Sequence, residues 1–387
     1  MLDDLSPMPA FDVAVVGLGA MGSAALHHLA ARGLRVIGLE QSTPGHDGGS
    51  SHGESRIIRL AYFEHPSYVP LVCAAYEAWR ALERRTGREI LTVTGILEAG
   101  HPDSEIVAGS LASSIEHAIP HERLTGRQIT ARFPAFDLPA DWEGVFQPDG
   151  GFLRPELAIA LQVEAARADG AEVRLGVAVR AVEAAPHAVR IVMDDGEVIE
   201  AGSVILAAGA WTPDLVPDLA RRLTLTRQAV AWFEPVRPEL TALGRLPVFI
   251  LESPEDAVYG FPDVAGSGVK AASHRPGRVL AHASDARQDG AEADARQILD
   301  TLARYLPAAA GPVRRLSTCI YTSTPDQDFV IDQLPSDPRV VVASPCSGHG
   351  FKFSILIGQI LADLATTGAT PHDITRFSLS RFAAPTP

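Results

Sequence analysis

The chain has 387 residues, of which 46% are hydrophobic and 21% charged, with a net charge of -14. That length exceeds what one core usually supports and predicts two lobes, while the composition is that of a soluble globular enzyme. The acidic balance argues against nucleic acid and anionic membrane surfaces as partners, because both need a positive footprint, so any anionic ligand must be held by local positive charge.

Residues 1–12 are acidic and proline-containing, and the first apolar run carries His27, His28 and glycines. Neither a signal peptide nor a membrane span is expected, and cytoplasm is the default location. Residues 12–16 read as a short buried strand, followed by Gly17, Gly19 and Gly22 in a G-x-G-x-x-G loop with Ala20 and Met21 inside it. Residues 23–32 then read as a helix, and 35–39 as a second strand ending at Glu40. The glycines allow a tight turn and close backbone approach, so the helix N-terminus can face a pyrophosphate while Glu40 accepts hydrogen bonds from an adenosine ribose. An acid at that place disfavours a 2′-phosphate and leaves FAD or NAD.

Further along, 155–169 read as a helix with Pro155 in its first turn, followed by strands at about 173–182 and 189–193 and a turn at Asp194, Asp195 and Gly196. The returning strand is followed by a buried strand over 204–209, running into Gly209, Ala210 and Trp211. This order suits a flavin-binding lobe by analogy of topology. The nucleotide lobe is expected to be discontinuous, over 1–90, 151–220 and 316–387. Residues 91–150 and 221–315, with more proline, irregular strand signals and one clear helix at 291–305, form the second lobe. There is no internal repeat and no low-complexity tract.

In the final third, 319–326 end a strand in a polar turn, and 347–353 lead into a helix that runs to about 366. Two glycines and a histidine at a helix start leave backbone N–H groups free, and the dipole there favours a negative ligand such as a reduced flavin pyrimidine. Of the 33 basic residues only Lys270 and Lys352 are lysines, both in small, apolar or glycine-rich stretches. Lysine is a compact charge of tunable pKa that a guanidinium cannot imitate. Cys73, Cys319 and Cys346 are odd in number and widely spaced, which fits neither a disulfide framework nor zinc, and no metal-ligand spacing is present.

Several runs together resemble the monomeric sarcosine oxidase and N-methyltryptophan oxidase family, within the D-amino-acid-oxidase-like FAD-dependent oxidoreductases. They are the Gly17–Gly22 loop, residues 50–59, Tyr259 to Pro262, Lys270 with His274, Cys319 with Tyr321, and Gly348 to Phe353. The resemblance implies an α/β fold: a Rossmann-type FAD-binding domain with a second, mixed α+β substrate domain built around a β-sheet. It implies a flavin bonded through its 8α-methyl to the sulfur of Cys319, with Ser51, His52, Gly209, Trp211, Gly348, His349 and Gly350 near the cofactor. Arg59 and Lys352 resemble the pair that holds a substrate carboxylate, which needs pairing when it leaves water. Arg56 resembles the arginine beside the flavin ring; its alternative is an ordinary ion pair with Glu54 or another acid. Lys270 resembles the lysine that reaches flavin N5 through water and promotes the reaction with oxygen. Tyr259, Tyr321 and His274 fall where the family surrounds the substrate amine.

The expected reaction is oxidation of a secondary amino acid, N-methyl or cyclic, by hydride transfer to flavin N5, with imine hydrolysis and reduction of oxygen to hydrogen peroxide. The resemblance also implies a monomer, with an amino acid and molecular oxygen as its partners. Ile250, Pro345 and Cys346 depart from the sarcosine oxidase pattern and point away from sarcosine itself. A dehydrogenase passing electrons to a quinone or carrier protein, and a catalytically silent flavin sensor, are the alternatives.

Overall fold

Alternation along Phe11–Val16 decides how the first strand is covered. Val13 and Val15 enter a core formed with the helices Ala20–Ala31, Val69–Thr86, Pro155–Ala168 and Ser354–Thr367, while Ala14 and Val16 enter a second core with Val189, Ile191 and Leu206. A strand buried on both faces belongs in the middle of a parallel set. In this computed structural model, which describes residues 9–287 and 291–383, Phe11–Val16 pairs in parallel with Val36–Glu40 and with Val198–Leu206. Glu172–Leu175 extends the set beyond Val36–Glu40, and Asp337–Ser344 lies parallel to the end of Val198–Leu206. Three antiparallel strands, Val179–Ala184, Val189–Met193 and Val330–Leu334, complete an eight-stranded sheet. The mixed α/β architecture read from the sequence is the observed one. The first eight residues of the acidic N-terminal stretch lie outside the described residues.

Two strand expectations change. The run at 173–182 breaks at Gly176, whose φ of 73° lies in the left-handed region, so its first half joins the parallel sheet and its second half begins the meander. The returning strand and the strand at 204–209 are one strand, Val198–Leu206. Its start pairs antiparallel with Val189–Met193, its last residues pair parallel with Asp337–Ser344, and Gly209–Trp211 is a separate helical turn.

A nine-stranded sheet is organised by Thr224–Phe233, which is paired along its whole length with Val313–Ser323. On its other edge it meets Val269–Ser273 and Val279–Leu280, after which come Ala257–Phe261, Val248–Glu252, Ile96–Gly100, Glu143–Gln147 and Glu122–Thr125. The expected helix Ala291–Tyr305 packs Ala295, Ile298 and Leu302 against this sheet. The division expected at 316 falls inside Val313–Ser323, whose pairing carries the nine-stranded sheet on to Ser323. Glu105–Glu116 is a helix that the sequence reading did not anticipate, because its buried face is made partly of Ser110, Ser113 and Ser114 instead of a full apolar stripe. A three-stranded sheet, Arg56–Ile58 with Gly151–Leu153 and Leu91–Val93, delivers Arg56 and Arg59 to the active-site cavity. No helix among the described residues is long and apolar enough to cross a membrane.

Candidate active site

The glycine loop and the second strand build one end of a cavity of about 440 Å³. A Cβ at Gly22 would stand 1.7 Å from the Gly17 carbonyl oxygen, so only glycine lets the helix begin this close to its loop. Nothing lies within 4 Å of a Cβ built at Gly19, where the backbone opens on the cavity, and Ala20 and Met21 line it at the start of the helix Ala20–Ala31. Glu40, buried at the end of its strand, accepts from Leu18 N at 2.8 Å and from Ser42 N at 2.9 Å, which leaves the other lone pairs of its carboxylate for a ligand on the cavity wall. Ser51, Gly209 and Trp211 line the same cavity. Gly22 and His52 stand behind the wall; burial, with Arg56 adding to it, pushes His52 down to about 4, so it is neutral at physiological pH.

The other end is made by strand residues that alternate toward one face. Cys319 and Tyr321, two apart on Val313–Ser323, both reach the cavity beside Tyr259, Ile250, His274, Pro345 and Cys346. The Cys319 thiol is pushed up by burial, and Arg56 and Lys270 pull it the other way. Tyr321 is held well above the ordinary phenol range by burial and by Tyr259. His274 is lowered by burial, and its ring meets Phe63 and Tyr259 edge-on. Arg56 donates to the carbonyls of Ser55 at 2.8 Å and Ser50 at 2.7 Å. It does not pair with Glu54, which is bound to Arg315 at 2.6 Å and accepts from Trp232. Two backbone carbonyls thus face the guanidinium of Arg56, which lines the cavity.

Both lysines are buried. Lys270 donates to Gly53 O at 2.7 Å, Ser55 O at 2.8 Å and Ser55 Oγ at 3.0 Å, and it stands behind the cavity wall. Lys352 lines the cavity and donates to His349 O at 2.8 Å; burial and then Arg59 push it down to about 7, with Glu64 and Glu98 opposing. His349 accepts or donates at Nδ1 with Tyr62 at 2.5 Å, and Gly348 and Gly350 shape the turn before it. Arg59 lies between the rings of Tyr62 and Phe63, each 4.2 Å from its guanidinium carbon.

A profile described as FAD dependent oxidoreductase matches residues 12–364. The chain belongs to that family. It is 41% identical to a monomeric sarcosine oxidase from Streptomyces avermitilis over 97% of this chain and 99% of that one. It is 34% identical to an N-methyl-L-tryptophan oxidase from Yersinia pestis, covering 96% and 99%. NikD, an unusual amino acid oxidase essential for nikkomycin biosynthesis, has in its open form a TM-score of 0.85 at 29% identity, covering 96% of this chain and 98% of that one.

The FAD dependent oxidoreductase family takes FAD, and the residues present fit it. The open Gly19 backbone and the Glu40 carboxylate suit a dinucleotide, the cavity continues without a break to Cys319 and Lys352, and the Ser344 hydroxyl on its wall is buried without a protein partner. Sequence reasoning brought nearly all of these residues forward but missed two acids. Glu64 holds Arg59 with both its oxygens, at 2.7 and 2.6 Å, and Glu98 stands 3.4 Å from Arg59 Nε. Glu98 carried a legible signal: an acid inside the apolar run Ile96, Leu97, Ala99.

Proposed function

We propose that this chain is an oxidase of secondary amino acids, N-methyl or cyclic, with FAD bonded to Cys319. The observation that carries the reading is the pair of buried cations, Arg59 and Lys352, on a stretch of cavity wall that also holds Tyr259, Tyr321, Phe63, His274, Ile250 and a single acid, Glu64. Cations in so apolar a place call for an anion, and a carboxylate matches the planar fork of an arginine. Glu64 takes the Nη2 group of Arg59 with both oxygens, so a substrate carboxylate must displace it. Bound FAD would supply the electron acceptor, taking a hydride from the carbon next to nitrogen and passing the electrons to oxygen as hydrogen peroxide. Around it the chain positions and dries the substrate: neutral His274 and the two phenols flank the amine and favour its unprotonated form. Arg56 holds positive charge where electron density accumulates. No disulfide joins Cys73, Cys319 and Cys346, which fits a reducing compartment, and we place the enzyme in the cytoplasm as a monomer.

One observation favours the dehydrogenase reading: Lys270 gives its ammonium to three acceptors of the 53–55 segment and stands behind the cavity wall. A panel of N-methyl and cyclic amino acids with their decarboxylated amines, scored for flavin bleaching without oxygen and for peroxide in air, tests both readings. Bleaching with peroxide formation is expected; bleaching without it means a dehydrogenase. Arg59→Met or Lys352→Met should weaken the acids by roughly 2 to 5 kcal/mol, the range for breaking a buried charge pair, and the amines far less. Equal losses on acids and amines would refute the carboxylate assignment.

A further inference from the structure

Arg59 has two carboxylate partners of different character. On the cavity side, both oxygens of Glu64 take its Nη2 group, and the Glu64 side chain is 17% exposed. On the protein side, Oε1 of Glu98 faces Nε at 3.4 Å, and Glu98 is 0% exposed and does not line the cavity. The Nη1 group donates to Ala61 O at 2.9 Å. Glu98 Oε2 accepts from Ser110 Oγ at 2.7 Å, whereas Oε1 has no hydrogen bond. Glu64 can therefore give way to an incoming carboxylate, and Glu98 cannot leave.

The groups facing Glu98 are few. The segment after Arg56–Ile58 presents Arg59 and Glu64, the turn before Ser354–Thr367 presents Lys352, and the helix Glu105–Glu116 presents Ser110. The flanking strands place Val145 and Ile250 in register with it. His274 and His349 face the same set of charges from the cavity side, and burial lowers both.

We propose that Glu98 is the fixed counter-anion of the carboxylate-binding arginine, and that its protonation state sets how strongly Arg59 and Lys352 draw a substrate carboxylate. With both acids and both cations ionised the cluster is neutral, and an added carboxylate leaves it with an excess buried negative charge. A proton on Glu98 removes that excess. Carboxylate binding is thus linked to proton uptake, and affinity falls as pH rises through the Glu98 titration. Burial pushes Glu98 up to about 7 against the pull of Arg59 and Ser110, which sets the linkage near neutrality. The inference rests on the carboxylate reading of Arg59 given above, and it makes Glu98 a positioning and tuning residue that never touches substrate.

The test uses holoenzyme and propionate, a carboxylate with no amine to titrate, with the dissociation constant followed by calorimetry and by the flavin absorbance change between pH 6 and 8. Wild-type affinity should fall about tenfold over that range, the span available to one linked proton, with measurable proton uptake when buffers of different ionisation enthalpy are compared. Glu98→Gln should cut the pH dependence to less than half, whereas Lys352→Met should bind propionate more weakly and keep a pH-linked fall in affinity that is moved to higher pH, because the lysine charge no longer holds Glu98 down. A slope that survives in Glu98→Gln and vanishes in Lys352→Met would assign the proton to the lysine and overturn the proposal. So would the absence of proton uptake in the wild type, a measurement that stands even if Glu98→Gln fails to fold. Propionate that does not bind, in an enzyme still reduced by N-methyl amino acids, also overturns it. Normal, pH-linked propionate binding in an enzyme that no amino acid reduces would leave the proposal standing and remove the proposed function.

Discussion

Lys270 keeps its ammonium fixed by three acceptors on the 53–55 segment, with the Phe261 ring 4.7 Å away. Burial and then Arg56 hold it well below the usual lysine range, so its charge is lost at lower pH than an exposed lysine's. If that charge assists oxygen, Lys270→Met should slow flavin reoxidation by roughly 100-fold, the scale for one preorganised electrostatic group, and leave anaerobic reduction less affected. Wild-type reoxidation should also slow with rising pH. Stopped-flow measurement of the two half-reactions checks both points, and normal reoxidation with a crippled reductive step would assign Lys270 to substrate. Cys319, unlike Lys270, faces the cavity, from a strand interior. If it carries the flavin, acid-precipitated wild-type protein stays yellow and Cys319→Ser releases its flavin to the supernatant, which absorbance of the two fractions decides. These residues were legible because their types are rare or stand in distinctive runs. Glu64 was not, and Glu98 showed only as an acid in an apolar run, since the meaning of both comes from Arg59, which folding alone brings beside them.

Among the elements, the turn before Ser354–Thr367 is the most constrained. Gly348 has a φ of 79°, and a Cβ there would lie 2.7 Å from Tyr321 Cε2. Gly348→Ala should cost about 1–3 kcal/mol, the range for a residue held in a sparsely populated conformation, and should lower flavin content as Tyr321 is displaced. Urea unfolding and the ratio of flavin to protein absorbance check this; unchanged stability with full flavin would mean that the turn relaxes freely. The glycine loop, its helix and the acid ending the second strand were readable because period, punctuation and caps agree over residues 11–40. The split at Gly176 and the single long Val198–Leu206 strand were not, because both depend on which neighbours the strands find. The helix Glu105–Glu116 escaped for a reason tied to the site: its buried serines answer Glu98 and the Tyr62 carbonyl, so polar satisfaction replaces the apolar stripe that would have announced it.

At the scale of the whole molecule, length and composition led to the expectation of two lobes, and flavin-like signals in the last third to that of a discontinuous nucleotide lobe. The seam expected at 316 cuts a strand, since Val313–Ser323 belongs by pairing to the nine-stranded sheet and also carries Cys319 and Tyr321. The helices Ala20–Ala31 and Ser354–Thr367 pack so closely that a Cβ at Gly358 would meet Ala24 at 2.4 Å. About 320 residues separate these partners along the chain, which at the usual pace of synthesis means a wait of roughly 15 to 65 s on the ribosome. During that interval the helix Pro155–Ala168 can already cover one side of the first helix, where Ser23 meets Gln162 at 2.7 Å, but the side that Gly358 meets stays uncovered. The core beneath the glycine loop is therefore completed only when Ser354–Thr367, one of the last elements made, settles on the first helix.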